Sequence, residues 1–115
     1  MAKYVSNAFS PAMLSQLPST VKFEEISESE FCEAVRRISD ENNSIGHISS
    51  AQIINTLCGT AFGVNRKEIR LAPGDVLYNI QITFRPPEGK VYDLNELMEL
   101  YKEGKIKFLR VQVLS

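Results

Sequence analysis

A chain of 115 residues has room for one domain with one hydrophobic core, and 43% apolar against 23% charged residues is the balance of a folded domain rather than a disordered one. The formal charge of −1 excludes a protein that coats duplex DNA through many phosphate-neutralising cations. One histidine and two cysteines exclude a multi-ligand His/Cys metal site and a disulfide framework.

The predicted elements run as follows. Residues 3–7 start as a short strand. Ser10-Pro11 reads as an N-cap with proline at the first helical position, opening a short helix through Gln16 that Pro18 ends. Thr20–Ile26 fits a second strand through Val21, Phe23 and Ile26. Ser27-Glu28-Ser29-Glu30 has capping-box spacing, and Phe31, Val35 and Ile38 follow at helical period. The polar run Asp40–Ser44 ends that helix. Ser49 or Ser50 caps the next helix, whose Ile53, Ile54, Leu57 and Cys58 face inward, with Gly59 at the left-handed C-terminal position.

Residues 67–71 and 75–84 flank Pro73-Gly74 and predict a hairpin. Val76, Tyr78, Ile80, Ile82 and Phe84 carry the two-residue period of its longer strand. Arg85-Pro86-Pro87-Glu88-Gly89 interrupts the ladder, since proline has no N–H to give it. Asp93 and Glu96 start a helix with Leu94, Leu97, Met98 and Tyr101 on one stripe, Gly104 stops it, and Ile106–Leu114 is a last strand. The whole chain, 1–115, is then a single α/β domain, with a mixed β-sheet of about five strands flanked by helices. Strand order does not follow from the pattern.

The absence of a long apolar run predicts no membrane span, and the absence of a basic-then-apolar leader predicts a cytoplasmic protein. Cys32 and Cys58 then read as reduced core thiols. Charge is uneven: residues 1–65 carry a net −3 and residues 66–115 a net +2, so a small anion could be held by cations of the second half.

Four places can carry chemistry. Ile45-Gly46-His47-Ile48-Ser49 leads a histidine to a helix N-terminus, whose free N–H groups suit a phosphate; alternatively His47 is a plain surface residue. Arg85, with Glu88 three residues on, ends a strand where α/β sheets bind ligands, or else pairs with Glu88. Ser6-Asn7-Ala8-Phe9-Ser10 can bond an anion or a base edge, or simply cap and turn. Asn65-Arg66-Lys67 is a short basic patch, or a solvated loop.

No Gly-x-Ser-x-Gly elbow, Walker loop or dinucleotide fingerprint is present. One reaction needs little. RNA supplies its own nucleophile, the 2′-hydroxyl, and its attack on the neighbouring phosphate asks only for an acid and an anion-stabilising cation. A histidine and an arginine can be those groups, with no metal.

Asn7-Ala8-Phe9-Ser10, Ser44-Ile45-Gly46-His47, Asn55-Thr56-Leu57-Cys58-Gly59-Thr60, Asn65-Arg66, Arg85 with Glu88-Gly89-Lys90, and Gly104-Lys105 occur in this order. The set resembles the viral ring nucleases that act as anti-CRISPR proteins against type III immunity, from about residue 3 to 113. The resemblance implies an α/β homodimer that binds cyclic tetra-adenylate across its interface. It implies cleavage without cofactor or metal to linear di-adenylate ending in a 2′,3′-cyclic phosphate. His47 would be the general acid, Arg85 would stabilise the transition state, and Glu88 would assist it. Asn7, Ser10, Ser49, Arg66 and Gln81 would line the ligand pocket. The partners implied are the cyclic nucleotide and a second copy, not a membrane or long duplex nucleic acid.

Two segments depart from the family pattern. Pro11-Ala12 stands where a larger aliphatic and a polar residue are expected, and Phe84-Arg85-Pro86-Pro87 is more apolar than the usual setting of that arginine. These departures motivate an alternative, a non-catalytic cyclic-nucleotide sink or protein-interaction module. A small DNA-binding regulator fits worse, because residues 94–103 carry Lys102 against Glu96, Glu99 and Glu103.

Overall fold

The two-residue period of Val76–Ile82 does build the central strand of a sheet, and both of its edges are taken. The structure is a computed structural model that describes residues 1–83 and 92–115. Its strands are β1 (Lys3–Ser6), β2 (Val21–Ile26), β3 (Asn43–Ser44), β4 (Val76–Ile82) and β5 (Ile106–Val113). Its helices are α1 (Glu28–Val35), α2 (Ile48–Cys58) and α3 (Leu94–Lys102). Among the described residues the sheet has five strands in the order β2-β5-β4-β1-β3. β3, β1 and β4 are parallel, whereas β5 runs antiparallel to both β4 and β2.

Side-chain alternation divides the sheet into two faces. Val5, Val76, Tyr78, Ile80, Ile106 and Phe108 point to the face that carries all three helices, where Phe31, Val35, Ile53, Ile54 and Leu97 complete the main core. Leu77, Val111 and Val113 point to the other face, which is covered by Ile69 and Leu71 with Phe9, Met13 and Leu14. The sheet is thus packed on both sides, by helices on one and by irregular chain on the other.

Four expectations are corrected. The hairpin is absent: the turn at Pro73-Gly74 exists, with Asp75 N–H donating to Ala72 O at 3.0 Å and Gly74 at φ +95°, but residues 67–71 form no strand. β1 and β5 occupy both sides of β4, so Leu71 forms a parallel bridge with Leu14 instead. The expected helix from Ser10 to Gln16 is a single 3-10 turn, Pro11–Met13, because Leu14 turns extended to meet Leu71. The helix after Asp40–Ser44 is capped by His47 rather than by Ser49 or Ser50. And the cysteines are not free thiols: Cys32 of α1 and Cys58 of α2 form a disulfide, their Cα atoms 4.9 Å apart. The two inward helix faces meet at these positions, each less than 4% exposed, and a second tie runs beside them from Arg36 Nε to Cys58 O at 2.8 Å.

The remaining capping signals hold, although α1 ends at Val35 and Ile38 of the expected stripe lies beyond it. Ser27 Oγ accepts from Glu30 N–H at 3.1 Å, and Asp93 with Glu96 forms a complete capping box at 2.8 and 3.2 Å. Gly59 takes φ +68° at the end of α2. α3 is fastened to α1 by the Tyr101 hydroxyl donating to Glu28, a bond that pushes the phenol up to about 12. Edge strand β2 is fastened by Arg110, whose hydrogen bond to Glu24 holds that carboxyl below its usual range.

Candidate active site

Parallel strands deliver their C-terminal ends to one edge of a sheet, and α/β proteins collect ligand-binding loops there. Here Ser6 ends β1, Ser44 ends β3 beside it, and Asn79 of β4 pairs with Ser6 on the other side. The loop after β1 and the loop after β3 therefore leave the sheet as neighbours. The Ser6 hydroxyl donates to Ala8 O at 2.8 Å and turns the first loop over. Asn7 then reaches across, and its Oδ1 accepts the Gly46 N–H at 2.9 Å.

The second loop is held from its other flank by residues 63–67. Asn43, fully buried, donates to Gly63 O at 2.7 Å and accepts the Ile45 N–H at 2.9 Å. Asn65 N–H donates to Ile45 O at 2.7 Å, and its side chain donates to Asn43 O at 2.9 Å. These bonds do what a longer strand would do and bring Arg66 to the loop, where its Nε donates to Gly46 O at 3.0 Å. Gly46 is thus bonded at its N–H by Asn7 and at its carbonyl by Arg66. A Cβ at Gly46 would meet Arg66 Cγ at 3.5 Å and Asn7 Oδ1 at 3.7 Å, which is ordinary contact. The glycine is not needed there for want of space.

His47 follows as the N-cap of α2. Its Nδ1 accepts the Ser49 N–H at 3.2 Å, a role usually filled by Ser, Thr, Asp or Asn. That bond occupies the Nδ1 lone pair, so the neutral ring carries its proton on Nε2. The residue is exposed, whereas Ser49 behind it is 4% exposed.

Of the residues expected at the site, Asn7 and Arg66 bond the Gly46 peptide that precedes His47, and Ser49, itself buried, reaches His47 through its backbone N–H. Gln81 lies exposed near the end of β4, with its Oε1 accepting from Asn79 at 3.4 Å. Ser10 stands apart from that group by its bonding: its hydroxyl accepts Ala12 N–H at 3.2 Å and caps the 3-10 turn. Arg85 and Glu88 lie outside the described residues. Sequence reasoning missed Asn43, and it named Ser6 and Asn65 only within segments that could meet a ligand, not as residues that bond the backbone. Their only signal was a polar residue at a strand end or in a loop, which buried polar groups share with solvated ones.

Among the described residues, several cations of the net positive second half are engaged by other partners. Arg110 is held by Glu24, Lys107 stands 3.7 Å from Glu25, Lys67 donates to Glu41 O at 2.6 Å and Arg70 to Ala12 O at 3.0 Å. Arg66 is the cation bonded into the His47 loop. A concavity of about 230 Å3 lies between α1 and the sheet around Lys3, Tyr78 and Arg110, and another of about 470 Å3 lies at the ends of α1 and α2. Neither is lined by His47, Asn7 or Arg66. Among the described residues no group of three or more His, Cys, Asp or Glu could hold a metal ion, and no helix is long and apolar enough to cross a membrane.

The family described as STIV B116-like matches residues 3–108. The ORF116 protein of Acidianus filamentous virus 1 (isolate United States/Yellowstone) is 39% identical over 116 residues, covering 100% of this chain and 98% of its own. The solved structure of B116 from Sulfolobus turreted icosahedral virus superposes with a TM-score of 0.80 at 37% identity, over 97% of this chain and 99% of that one.

Proposed function

The chain belongs to the STIV B116-like family of archaeal virus proteins, and from that premise we propose that it is a ring nuclease that cleaves cyclic tetra-adenylate without a metal. The observation that carries the reading is His47, exposed at the N-terminus of α2 with its ring held by the Ser49 amide and its backbone held through Gly46. An acid at a helix N-terminus, at the C-terminal edge of parallel strands, is placed where a phosphodiester would be received.

The chemistry is a transesterification. A ribose 2′-oxygen attacks the adjacent phosphorus and loses its proton to water, the bond from phosphorus to the 5′-oxygen breaks, and a 2′,3′-cyclic phosphate forms. The departing 5′-oxygen takes a proton, which His47 would supply from Nε2 of its imidazolium form, in which Nδ1 also carries hydrogen and releases the Ser49 amide. The terminal nitrogens of Arg66 would face a phosphate beside it, and Arg85 with Glu88 would act on the crowded phosphorus. Two cuts in one ring release two linear di-adenylates. In an infected host cytoplasm this would remove the messenger of type III CRISPR immunity.

A homodimer belongs to the same proposal. His47, Arg66 and Gln81 are exposed in the single chain, and a ring needs a second wall to enclose it. A twofold axis would supply that wall and set two histidines against a twofold-symmetric ligand.

The test is incubation with cyclic tetra-adenylate in EDTA, followed by chromatography of the products. Linear di-adenylate ending in a cyclic phosphate is expected, with His47→Ala slower by a factor of about 100 or more. A ring that stays intact after long incubation overturns the proposal, and tight binding without turnover would leave the protein as a sink.

A further inference from the structure

We propose that Asn7 is a positioning residue for His47 and acts through the Gly46 peptide, not through the ligand. Its side-chain oxygen is spent on the Gly46 N–H at 2.9 Å, and the Ser6 hydroxyl fixes the loop that carries it by donating to Ala8 O at 2.8 Å. On the other side of the same glycine, Arg66 Nε donates to Gly46 O at 3.0 Å. Gly46 immediately precedes His47, so the direction from which the His47 backbone enters α2 is set by two side chains from two separate loops. In the neutral ring the imidazole orientation is then closed by Ser49 N–H on Nδ1 at 3.2 Å. A catalytic ring held only by a surface loop would sample many orientations, and a displacement near 1 Å can cost a factor of about 100 in rate. The Gly46 clamp answers that problem. Asn7 is its half that carries no charge, and the half whose removal leaves Arg66 free to meet a phosphate.

The kinetic arm rests on the proposed cleavage, and a second arm does not. Asn7→Ala is expected to lower kcat by about tenfold to a hundredfold while KM and the dissociation constant for cyclic tetra-adenylate stay within about threefold. Asn7→Asp keeps the oxygen acceptor and is expected to recover most of kcat. In a His47→Ala background, Asn7→Ala should slow the residual reaction no further, because a residue that acts through the histidine has nothing left to position. A loss confined to KM and binding, or an additive loss in the double variant, overturns the inference.

The second arm is amide hydrogen exchange on the ligand-free chain. Asn7→Ala should cut protection of the Gly46 and Ser49 amides by about tenfold or more, with β4 and β5 amides unchanged. Unchanged protection at Ser49 overturns the inference whether or not the protein cleaves the ring. A loss spread through β4 and β5 would mark a general destabilisation and also overturns it. If wild-type protein leaves the ring intact, the functional reading fails and exchange alone decides the role of Asn7.

Discussion

At the scale of residues, the site is built from asparagines that bond backbone. Asn43 is the extreme case, fully buried with donors and acceptor engaged by Gly63 O, Asp40 Oδ1 and Ile45 N–H. Replacing it with leucine keeps the volume, strands the buried Ile45 amide and removes the donor to Gly63 O. Asn43→Leu is expected to cost about 2–4 kcal/mol, read as a lower midpoint in urea denaturation. A midpoint within error of wild type would show that the loop relaxes to water. This layer was the least legible in the sequence. Asn43 stood in the polar run Asp40–Ser44, which marked the end of a helix and gave no sign of a two-residue strand. A polar residue that is buried because its partners are backbone groups looks, in sequence, like one that is solvated.

At the scale of elements, helices were legible because their signals are local, and the failures came from competition. Asp93 and Glu96 made the expected box, and Gly59 took the expected left-handed turn. The serines at 49 and 50 are good caps by type, yet His47 already bonds the Ser49 amide, and both serines lie buried in the first turn. The hairpin failed because a β-strand has two edges and β1 and β5 took them. The disulfide joins elements 26 positions apart and could not be read from two apolar helix stripes alone. A cross-link closing a loop of that length is expected to contribute about 3–4 kcal/mol in the chain-entropy account. Denaturation with and without dithiothreitol checks this, and equal midpoints would remove the cross-link from the stability of the fold.

At the scale of the whole molecule, the mixed α/β class followed from alternating periods, and the order β2-β5-β4-β1-β3 did not. Strand order is fixed by long-range pairing, such as β1 inserting between β3 and β4, for which no local signal exists. That insertion builds the proposed site. It sets the loops after β1 and β3 side by side, so that residues 39 positions apart, Asn7 and Gly46, share a hydrogen bond. The ordered motifs located His47, Asn7 and Arg66 without the topology, and the topology shows that these three meet.

The histidine that caps α2 has a consequence for how it is interrogated. Truncating His47 to alanine removes the proposed proton donor and, in the same stroke, unseals the first turn of an eleven-residue helix. Lost turnover in that variant would confound chemistry with architecture. Asparagine is among the best residues at this position and has no proton to deliver to a leaving oxygen. His47→Asn is therefore expected to match wild type in melting temperature and to match His47→Ala in rate. A His47→Asn variant that retained turnover would mean that His47 serves this protein as a hinge pin and that its acid lies elsewhere.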